Sequence, residues 1–541
     1  MIYEILKTPL YNRFYYDFLS ADKKVSDFLV HPNFAEWEKI CVSIEPDSHI
    51  HRSLKEILIK QNGDLSAERA RKNLAELKNK NSTIVITGQQ LGLFASPMYT
   101  IYKALTTVQL SDTLNRKYSQ YSFVPVFWLE SEDHDFDEVN HFGIWNSIFE
   151  PQIITYRGEN RGKVPLRHYN YSADVDLMLS QIENGLQKSD FTMEVLEQIR
   201  RSCTQGSSWL EGTRDFLKSF FESSGLLFFQ PGATEVKEIS VEFLKGFLEE
   251  SKDIRQAFSS VSSKLTALGY DNQVTDLPGK TYIHIEDEHL QRMHLYSEDK
   301  VFFLKESGKN FTYQEIFDFV RKYPEKISTA VASRPVLQSW LFPVAAYVAG
   351  PAEIAYWAQL GGIFKQMQIQ MPVIYPRISA TLIEPKIFRY LEKHMPDIQH
   401  IEKKSADFID NYFKKALNKM AENPFNKANS QIDKLLTQIK NYLLQLDATL
   451  GNTVDKSNER IRQQIEQLEQ RSVKAKEQKE QLLLSHLKQI HSAFFPDGMP
   501  QERFVSPVYF LNKFGKDFMH SLFQSLSSEN WNHQIVSIGL K

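Results

Sequence analysis

The chain has 541 residues, more than a single hydrophobic core usually organises, so we expect two or more structural units. Its content of 42% hydrophobic and 24% charged residues is that of an ordinary soluble globular protein. The formal net charge of -3 provides no overall attraction to nucleic acid or to an anionic membrane, so we expect neither as a partner.

Cysteine usage and the N-terminal segment both point to the cytoplasm. Cys41 and Cys203 lie far apart and form no CxxC motif, which excludes a disulfide framework and a thiolate zinc site. The segment MIYEILKTPLYNRFYYDFLS lacks the basic start and the long apolar centre of a signal peptide. No stretch approaches the roughly twenty apolar residues that span a bilayer, so we expect a cytoplasmic protein.

Short apolar runs, of the kind that form strands buried on both faces, recur along the chain up to residue 384. Each lies near a helical pattern, which is the order typical of a parallel sheet with crossover helices. Together they predict an α/β fold with a doubly wound parallel sheet. The runs are TIVIT at 83–87, VPVFWL at 124–129, GLLFFQ at 225–230, PVAAYVA at 343–349 and MPVIY at 371–375.

The spacing of these runs is uneven, which indicates that the core, residues 1–384, contains insertions. The gaps on either side of the third run are far longer than the few dozen residues of a plain crossover. We place the insertions at about 151–220 and 235–335. Inside the second insertion, KTYIHI and KVFFLK alternate in the manner of an antiparallel hairpin.

Residues 385–491, rich in lysine, glutamate and glutamine, predict a long α-helical coiled-coil arm. Apolar residues follow a heptad seam in a first helix, GNT at 451–453 interrupts the pattern, and a second helix repeats the seam. We interpret the arm as an antiparallel helical hairpin that joins two subunits into a homodimer, with residues 492–541 returning to the core. The seam residues are Ile432, Leu435, Ile439, Tyr442, Leu446 and Thr449, then Ile461, Leu468, Ala475 and Leu482.

The segment TGQQLGLFASPMYTIYKAL follows the first strand and leads into a helix. Ser96 and Pro97 suit the N-cap and the first helical position. Ligands of open α/β sheets bind at such a turn because the helix N-terminus favours anions. Gly88 and Gly92 let the backbone approach a ligand closely, and the two glutamines between them supply neutral amides. Taken alone, the segment fits an ordinary glycine turn equally well.

The second strand runs directly into the acidic sequence ESEDHDFDE. Close carboxylates raise one another's pKa values, and an imidazole among them can exchange protons. We therefore favour a functional role over a solvated acidic loop, with His134 as a general base that Asp133 or Asp135 orients. His134 and His141 do not have a recognised zinc spacing, so we predict no metal.

Two later segments supply further candidates. In AGPAEIAYWAQL, Gly350 and Glu353 follow the fourth strand, where Glu353 either complements the helix dipole or forms a wall of the site. Arg377 ends the fifth strand and can grip a carboxylate through two hydrogen bonds. A structural salt bridge explains Arg377 equally well.

Four segments together, TGQQLGLFASPMYTIYKAL, PVFWLESEDHDFDEVNHF, AGPAEIAYWAQL and FFPDGMPQERF, resemble the BshC family of bacillithiol biosynthesis, in type and in order. The resemblance extends over nearly the whole chain. It implies a Rossmann-like core with two connecting insertions and a coiled-coil arm that mediates dimerisation. It also implies a ligase that adds L-cysteine to glucosaminyl-malate through an amide bond, the last step of bacillithiol synthesis.

A carboxylate does not acylate an amine in water without activation, so we expect an ATP-type nucleotide as cosubstrate. Two alternatives stay open: a metal-dependent hydrolase or transferase that uses the acidic cluster, and a coiled-coil scaffold with a degenerate nucleotide-binding core. We expect the first two motifs to meet at one edge of the sheet. The expected catalytic residues are His134, Asp133 and Asp135, and the expected substrate-binding residues are Gly88, Gln89, Gln90, Gly92, Ser96, Tyr99, Lys103, Glu132, Asn140, Gly350, Glu353 and Arg377.

Overall fold

The structure is a computed structural model, and it divides into two compact units. The first comprises Met1–Ile383 with Met499–Lys541, and the second comprises Glu384–Gly498. The residues that the structure describes are 2–5, 10–43, 49–298, 300–394, 401, 404–405, 407–409, 424–447 and 451–539.

Strands occur throughout the first unit. In chain order they are β1 (Ile2–Ile5), β2 (Ser82–Gln90), β3 (Ser122–Glu130), β4 (His141–Trp145), β5 (Pro151–Thr155), β6 (Leu227–Phe229), β7 (Lys280–Glu286), β8 (Arg292–Glu298), β9 (Val301–Leu304), β10 (Asn310–Phe311), β11 (Ile327–Thr329), β12 (Val344–Ala349), β13 (Val373–Pro376), β14 (Ala380–Ile383) and β15 (Gln534–Ser537).

Helices occur in both units. In chain order they are α1 (Arg13–Leu19), α2 (Trp37–Ser43), α3 (His49–Gln61), α4 (Glu68–Glu76), α5 (Met98–Lys117), α6 (Phe136–Val139), α7 (Asp174–Gly185), α8 (Thr192–Ser202), α9 (Trp209–Phe221), α10 (Thr234–Ile239), α11 (Val241–Glu249), α12 (Ser251–Ala267), α13 (Tyr313–Lys322), α14 (Arg334–Leu341), α15 (Pro351–Gln366), α16 (Pro385–His394), α17 (Pro424–Leu446), α18 (Gly451–Phe494), α19 (Gln501–Phe504), α20 (Pro507–Phe514) and α21 (Asp517–Ser525).

The centre of the first unit is a parallel sheet with strand order β13-β12-β2-β3-β6. Its strands are the five apolar runs of the sequence, so the predicted parallel sheet is confirmed. Along β2, Ile84 and Ile86 pack into one hydrophobic core and Val85 into another, because successive side chains of a strand face opposite sides. Helices cover both faces, with Leu110 of α5 on one and Leu58 of α3 on the other.

The edge strand β6 is completed by a side chain rather than by another strand. Asn62, which is fully buried after the end of α3, donates from Nδ2 to the carbonyl of Phe228 and accepts from the Phe228 N–H, both at 2.8 Å. A buried backbone group without a partner is costly, so Asn62 replaces the missing neighbour of β6.

A second sheet, antiparallel with the order β10-β9-β8-β7-β11, forms in the region of the second insertion. KTYIHI and KVFFLK lie in β7 and β9, so the expected hairpin system is confirmed. Glu286, at the end of β7, pairs in register with Arg292, at the start of β8. Both residues belong to the charged cluster described below.

The end of the chain adds a third sheet, in which β15 pairs parallel with β14 and antiparallel with β1. It also supplies the short helix α19, whose Gln501 is fully buried and exchanges two hydrogen bonds with the backbone of Leu382 in β14. The segment FFPDGMPQERF therefore contributes directly to the first unit through α19.

The second unit is helical. Lys440 of α17 binds Asp455 of α18 at 2.6 Å, and Arg462 of α18 binds Asp433 of α17 at 2.7 Å, a register that only antiparallel helices produce. The expected break at GNT is wrong in position, because α18 begins at Gly451. Glycine and asparagine are tolerated at a helix N-terminus, so they do not interrupt the helix there. Thr449, the last predicted seam residue of the first helix, lies outside the described residues.

Among the residues that the structure describes, no helix is long and apolar enough to cross a membrane.

Replacing Asn62 by alanine should lower the free energy of unfolding by about 2–4 kcal/mol, because the substitution leaves the buried N–H and carbonyl of Phe228 without partners. Urea unfolding followed by circular dichroism measures the change. Asn310, exposed on β10, provides the matched control, and Asn310→Ala should change stability by less than about 0.5 kcal/mol. Equal stabilities of the two variants would contradict the role of Asn62.

Candidate functional site

The two main sequence motifs leave neighbouring strands at the same edge of the parallel sheet. Strands β2 and β3 pair in register up to Gln90 and Glu130, which end them. The Gln90 amide then donates to Asp133 Oδ2 at 2.6 Å and to Glu138 Oε2 at 2.8 Å. The motifs thus meet at the carboxyl edge of the sheet, as expected, and this edge is where open α/β sheets bind ligands.

The turn after β2 differs from the expected strand-to-helix turn. Strand β2 continues to Gln90, and α5 starts at Met98, with Pro97 rather than Ser96 in the N-cap position. The predicted cap is wrong because Ser96 Oγ is hydrogen-bonded to Ser506 Oγ at 2.7 Å. The Met98 N–H also has a partner, since it donates to the carbonyl of Val505 at 2.9 Å. The returning C-terminal segment therefore occupies the positions that we expected to be open at the start of α5.

Gly88 and Gly92 lie at close approaches within the protein, and the approach at Gly92 leaves no room for a side chain. A Cβ at Gly92 would lie 2.3 Å from the carbonyl oxygen of Ser96, and a Cβ at Gly88 would lie 3.2 Å from Trp128. Both glycines therefore shape the edge of the sheet whether or not a ligand is bound.

Lys103 links the end of β2 to the start of α15. This side chain is 1% exposed, and its Nζ donates to the Gly88 carbonyl at 2.5 Å and to Gln89 Oε1 at 3.1 Å. Nζ also lies 2.6 Å from Glu353 Oε2. Burial lowers the pKa of Lys103, and the charge of Glu353 opposes this shift. For Glu353, burial raises the pKa, but Lys103 outweighs burial and the pKa is lowered.

Glu353 extends this contact to the end of β3. It accepts from the Gly350 N–H and from the Tyr347 hydroxyl, each at 2.8 Å, and from the Tyr356 hydroxyl at 3.5 Å, so it caps its own helix and also contacts two tyrosines. A nearby arginine, Arg334, donates at 3.0 Å to the Tyr356 hydroxyl and at 3.0 Å to Glu130 Oε2. One connected polar network therefore spans the ends of β2, β3 and β12.

The first carboxylates of the acidic motif are paired with cations, whereas Asp135, Asp137 and Glu138 are exposed. Glu132, 4% exposed, binds Arg167 Nη1 at 2.7 Å and contacts Lys237 Nζ. Arg167 also contacts Glu286, whose second oxygen is 3.1 Å from His168 Nε2. Burial raises the pKa of Glu132, but Arg167 and Lys237 outweigh this effect and hold the pKa below its ordinary value.

His134 lies between Asp133 and a buried arginine. Its Nδ1 is 3.6 Å from Asp133 Oδ1 and 3.3 Å from Arg292 Nη1. Burial and the charge of Arg292 lower the pKa of His134. Asp135 caps α6 instead, since its Oδ1 accepts from the Glu138 N–H at 3.1 Å, and among the described residues its carboxylate forms no hydrogen bond with the ring.

The remaining predicted residues lie at the rim or behind it. Asn140 ends α6 and faces His141 Nδ1 at 3.2 Å. Tyr99 accepts from Gln89 Nε2 at 3.2 Å, and burial raises the pKa of its hydroxyl to about 12. The guanidinium carbons of two arginines lie 5.5 Å and 5.6 Å from the ring centre of Tyr99, and these belong to Arg377 and Arg503.

Arg377 forms a structural salt bridge, which is one of the two roles that the sequence allowed for it. Its guanidinium binds both carboxylate oxygens of Glu502, at 2.6 Å and 2.9 Å, and both side chains are buried. The Tyr11 hydroxyl also donates to Glu502. Burial raises the pKa of Glu502, but Arg377 outweighs burial and lowers it to about 2.

Several residues of the cluster were not among the candidates from the sequence. Glu502 and Arg503 lie in a motif that the resemblance singled out, whereas the others lie in the insertions, where no pattern distinguished them from surface charges. The other missed residues are Arg167, Lys237, Glu286, Arg292 and Arg334.

Within the described part of the chain, no group of three or more histidine, cysteine, aspartate or glutamate side chains is arranged to hold a metal ion.

A parallel α/β sheet with a polar carboxyl edge, together with an antiparallel helical hairpin, defines a Rossmann-like protein with a coiled-coil domain. The chain belongs to the BshC family of bacillithiol biosynthesis. Residues 1–378 match the family model "Bacillithiol biosynthesis BshC, N-terminal Rossmann-like domain", and residues 380–538 match "Bacillithiol biosynthesis BshC, C-terminal coiled-coil domain".

Relatives and a solved structure show further similarity. A protein of Salinibacter ruber named "Putative cysteine ligase BshC" is 29% identical over 486 residues, covering 87% of this chain and 86% of the relative. A Bacillus thuringiensis protein of the same name is 27% identical over 488 residues, covering 89% of each. A crystal structure described as a "putative arginyl t-RNA synthetase" from Campylobacter jejuni aligns at 12% identity with a TM-score of 0.24, covering 84% of this chain and 99% of that one.

Glu502→Gln should lower the free energy of unfolding by about 3–5 kcal/mol, because it leaves the buried charge of Arg377 without its partner. The pKa of Glu502 is lowered from 4.5 to about 2, so the contribution of the pair is present above 4.5 and is lost as the pH falls toward 2. Stability of the variant should therefore vary less with pH over that interval.

Urea unfolding between about pH 7 and about pH 3 measures both effects. Glu183→Gln, at an exposed position of α7, is the matched control and should behave as the wild type. A Glu502→Gln variant as stable as this control would show that the ion pair does not hold the C-terminal segment.

Proposed function

We propose that this protein is a ligase that joins L-cysteine to glucosaminyl-malate through an amide bond, the last step of bacillithiol synthesis. Membership of the BshC family and the printed name of its relatives support a cysteine ligase. The structural observation that carries the proposal is the hydrogen bond of Gln90 to Asp133, because it joins the two motifs at a ligand-binding edge of the sheet.

The reaction requires an activated acid. We propose ATP as cosubstrate: the carboxylate of cysteine attacks a phosphorus atom of ATP, the P–O bond to pyrophosphate or to ADP breaks, and the resulting mixed anhydride carries a leaving group that water alone does not supply. The amine of the glucosamine then attacks the acyl carbon, the C–N bond forms as the C–O bond to the phosphate group breaks, and the nitrogen releases a proton to solvent. ATP is a cytoplasmic metabolite, so the proposal places the protein in the cytoplasm.

The proposed roles follow from which groups are free to bind a ligand. Gln90 donates its amide N–H groups to Asp133 and Glu138 and presents its amide oxygen at the rim, where Asn140 presents a second amide; both suit the hydroxyl groups of the sugar. Tyr99, beside Gln89 and Arg503, provides a ring and a hydroxyl on the opposite motif. These groups are the proposed contacts with the substrates.

Other predicted residues support the site from behind. Ser96, Arg377, Lys103 and Glu353 have partners within the protein, so we propose that they hold the walls of the site in place. Glu132 does the same for the acidic motif through its pairs with Arg167 and Lys237. Buried charges need such partners, and a variant that removes one of them should affect folding before it affects chemistry.

We propose His134 as the catalytic residue of the acidic motif. Its side chain is 32% exposed, whereas Glu132 beside it is buried in ion pairs. His134→Ala should lower kcat/KM by about 100-fold or more, because it removes a polar group at the reacting atoms. Purified protein with glucosaminyl-malate, cysteine and ATP, analysed for bacillithiol by thiol labelling and mass spectrometry, provides the measurement.

His289→Ala is the matched control for this assay. His289 is exposed in the turn between β7 and β8, and its imidazole pairs with the exposed Glu288, so turnover should not change. Wild-type turnover that persists without ATP, or in His134→Ala, would contradict the corresponding part of the proposal. The nucleotide product, AMP or ADP, identifies whether the anhydride is an adenylate or an acyl phosphate.

We also propose that the arm joins two copies of the chain into a homodimer. In the isolated chain the predicted seam is exposed, by 58% at Leu435, 64% at Tyr442, 56% at Leu468 and 52% at Leu482. Exposed apolar residues repeated along two paired helices support a second helical pair as their partner. Because a homodimer usually has two-fold symmetry, the same seam would face itself across the axis.

Leu468→Glu should shift the protein from dimer to monomer, measured by light scattering after size-exclusion chromatography, because it places a charge in the middle of the proposed seam. Gln463→Glu, on the same helix but outside the seam, should leave the dimer intact. A wild-type monomer, or a dimer that tolerates Leu468→Glu, would show that the arm does not pair in this way.

A further inference from the structure

The charged and titratable groups around His134 come from several elements. Asp133 and Asp135 belong to its own loop, Arg292 starts β8, and Lys163 and His284 contribute charge or an imidazole from farther away. Asp133 is not the closest partner of the ring: its Oδ1 is 3.6 Å from Nδ1, and the same oxygen already accepts from the backbone N–H of His134 at 2.8 Å. The closest charged atom is Arg292 Nη1, at 3.3 Å from Nδ1.

The guanidinium of Arg292 is fixed on its other sides. This side chain is buried, and it reaches past β7 to β11, where Nε donates to Ser328 Oγ at 3.0 Å and Nη2 donates to the carbonyl of Thr329. With these two positions held, Nη1 is directed at His134. Arg292 is therefore a rigid donor supplied by the antiparallel sheet, not a mobile surface charge.

The protonation of His134 follows from the chemistry of this contact. A guanidinium has five N–H donors and no acceptor, so the atom that faces it must accept a hydrogen bond. Nδ1 of His134 therefore carries a lone pair, and in a neutral imidazole the proton then lies on Nε2. A general base oriented by Asp133 would need the opposite arrangement, with the proton on Nδ1.

We propose that Arg292 is a positioning residue that holds His134 as the neutral Nε2–H tautomer, so that His134 donates a hydrogen bond from Nε2 to an anionic oxygen of the substrate. The oxygen belongs to a carboxylate, a phosphate or the tetrahedral species that forms during amide synthesis. Its identity rests on the proposed function, whereas the tautomer does not. His134 thus stabilises negative charge and does not remove a proton.

Two further observations support this assignment. Burial and Arg292 lower the pKa of His134, so the imidazole stays neutral from its ordinary pKa upward in pH. The hydrogen bonds of His134 to the described residues involve its backbone N–H and Nδ1 and not Nε2, and the side chain is 32% exposed, so Nε2 is available to a ligand. A neutral imidazole that donates from one nitrogen is an effective electrophile toward a substrate oxygen.

The tautomer is measured directly on the ligand-free protein. Solid-state 15N spectra of protein labelled in histidine separate protonated from unprotonated ring nitrogens, and comparison with His134→Gln assigns the signals of His134. At pH 7.5 and above, about one unit over the ordinary histidine pKa, we expect a protonated Nε2 and an unprotonated Nδ1. A protonated Nδ1 would overturn the inference.

A variant tests whether Arg292 is the cause. Arg292→Met removes the donor, so Asp133 becomes the nearest charged partner of Nδ1, and we expect signals of the Nδ1–H or doubly protonated ring to appear. Arg255→Met, at a half-buried position of α12 away from this cluster, should leave the spectrum unchanged. An unchanged spectrum in Arg292→Met would remove Arg292 from the role, and if that variant does not fold, the wild-type spectrum still decides the tautomer.

The function of the tautomer is tested by a substitution that keeps a donor but cannot act as a base. We expect His134→Gln to retain kcat/KM within about tenfold of the wild type, whereas His134→Ala loses about 100-fold or more. A glutamine variant as inactive as the alanine variant would contradict the donor role. An inactive wild type with an Nε2–H signal would refute the proposed ligase reaction and leave the assignment of Arg292 intact.

Discussion

The carboxyl edge of the parallel sheet depends on one constraint, which is that a buried charge must have a partner. Glu130 and Glu132 leave β3 into the protein interior, where an unpaired carboxylate is strongly unfavourable. Their partners, Arg334, Arg167 and Lys237, all lie in the regions that the sequence predicts as insertions. The core and its insertions therefore stabilise each other, and neither would have a satisfied interior without the other.

The same constraint determines which groups are left for a ligand. Lys103 and Arg377, two cations among the predicted site residues, are both paired, with Glu353 and Glu502. The groups with open positions are mostly neutral: amides at the rim and the imidazole of His134. A site of this kind recognises its substrates through directed hydrogen bonds, and the fixed charges behind it keep those groups in position.

The sequence predicted the secondary-structure elements better than it predicted which side chains contact one another. The parallel sheet, the antiparallel hairpin and the helical arm follow from local patterns, because burial on two faces, alternation and heptad spacing each have a period visible in one segment. The meeting of Gln90 with Asp133 could also be expected, since both follow neighbouring strands. Ser96 shows the opposite case. The local sequence around Ser96 suits an N-cap, but its hydroxyl is hydrogen-bonded to Ser506, which lies far along the chain.

By itself, the sequence determined the fold class, the family and the two motifs that form the edge of the site, because these reside in short contiguous segments. Only the tertiary structure decided which carboxylate pairs with which cation, that Arg377 is a structural residue, and that Arg292 rather than Asp133 faces the imidazole nitrogen of His134. Most of these contacts join residues more than a hundred positions apart, and their geometry depends on the packing of whole elements. No periodic pattern within a single segment of the sequence indicates that packing.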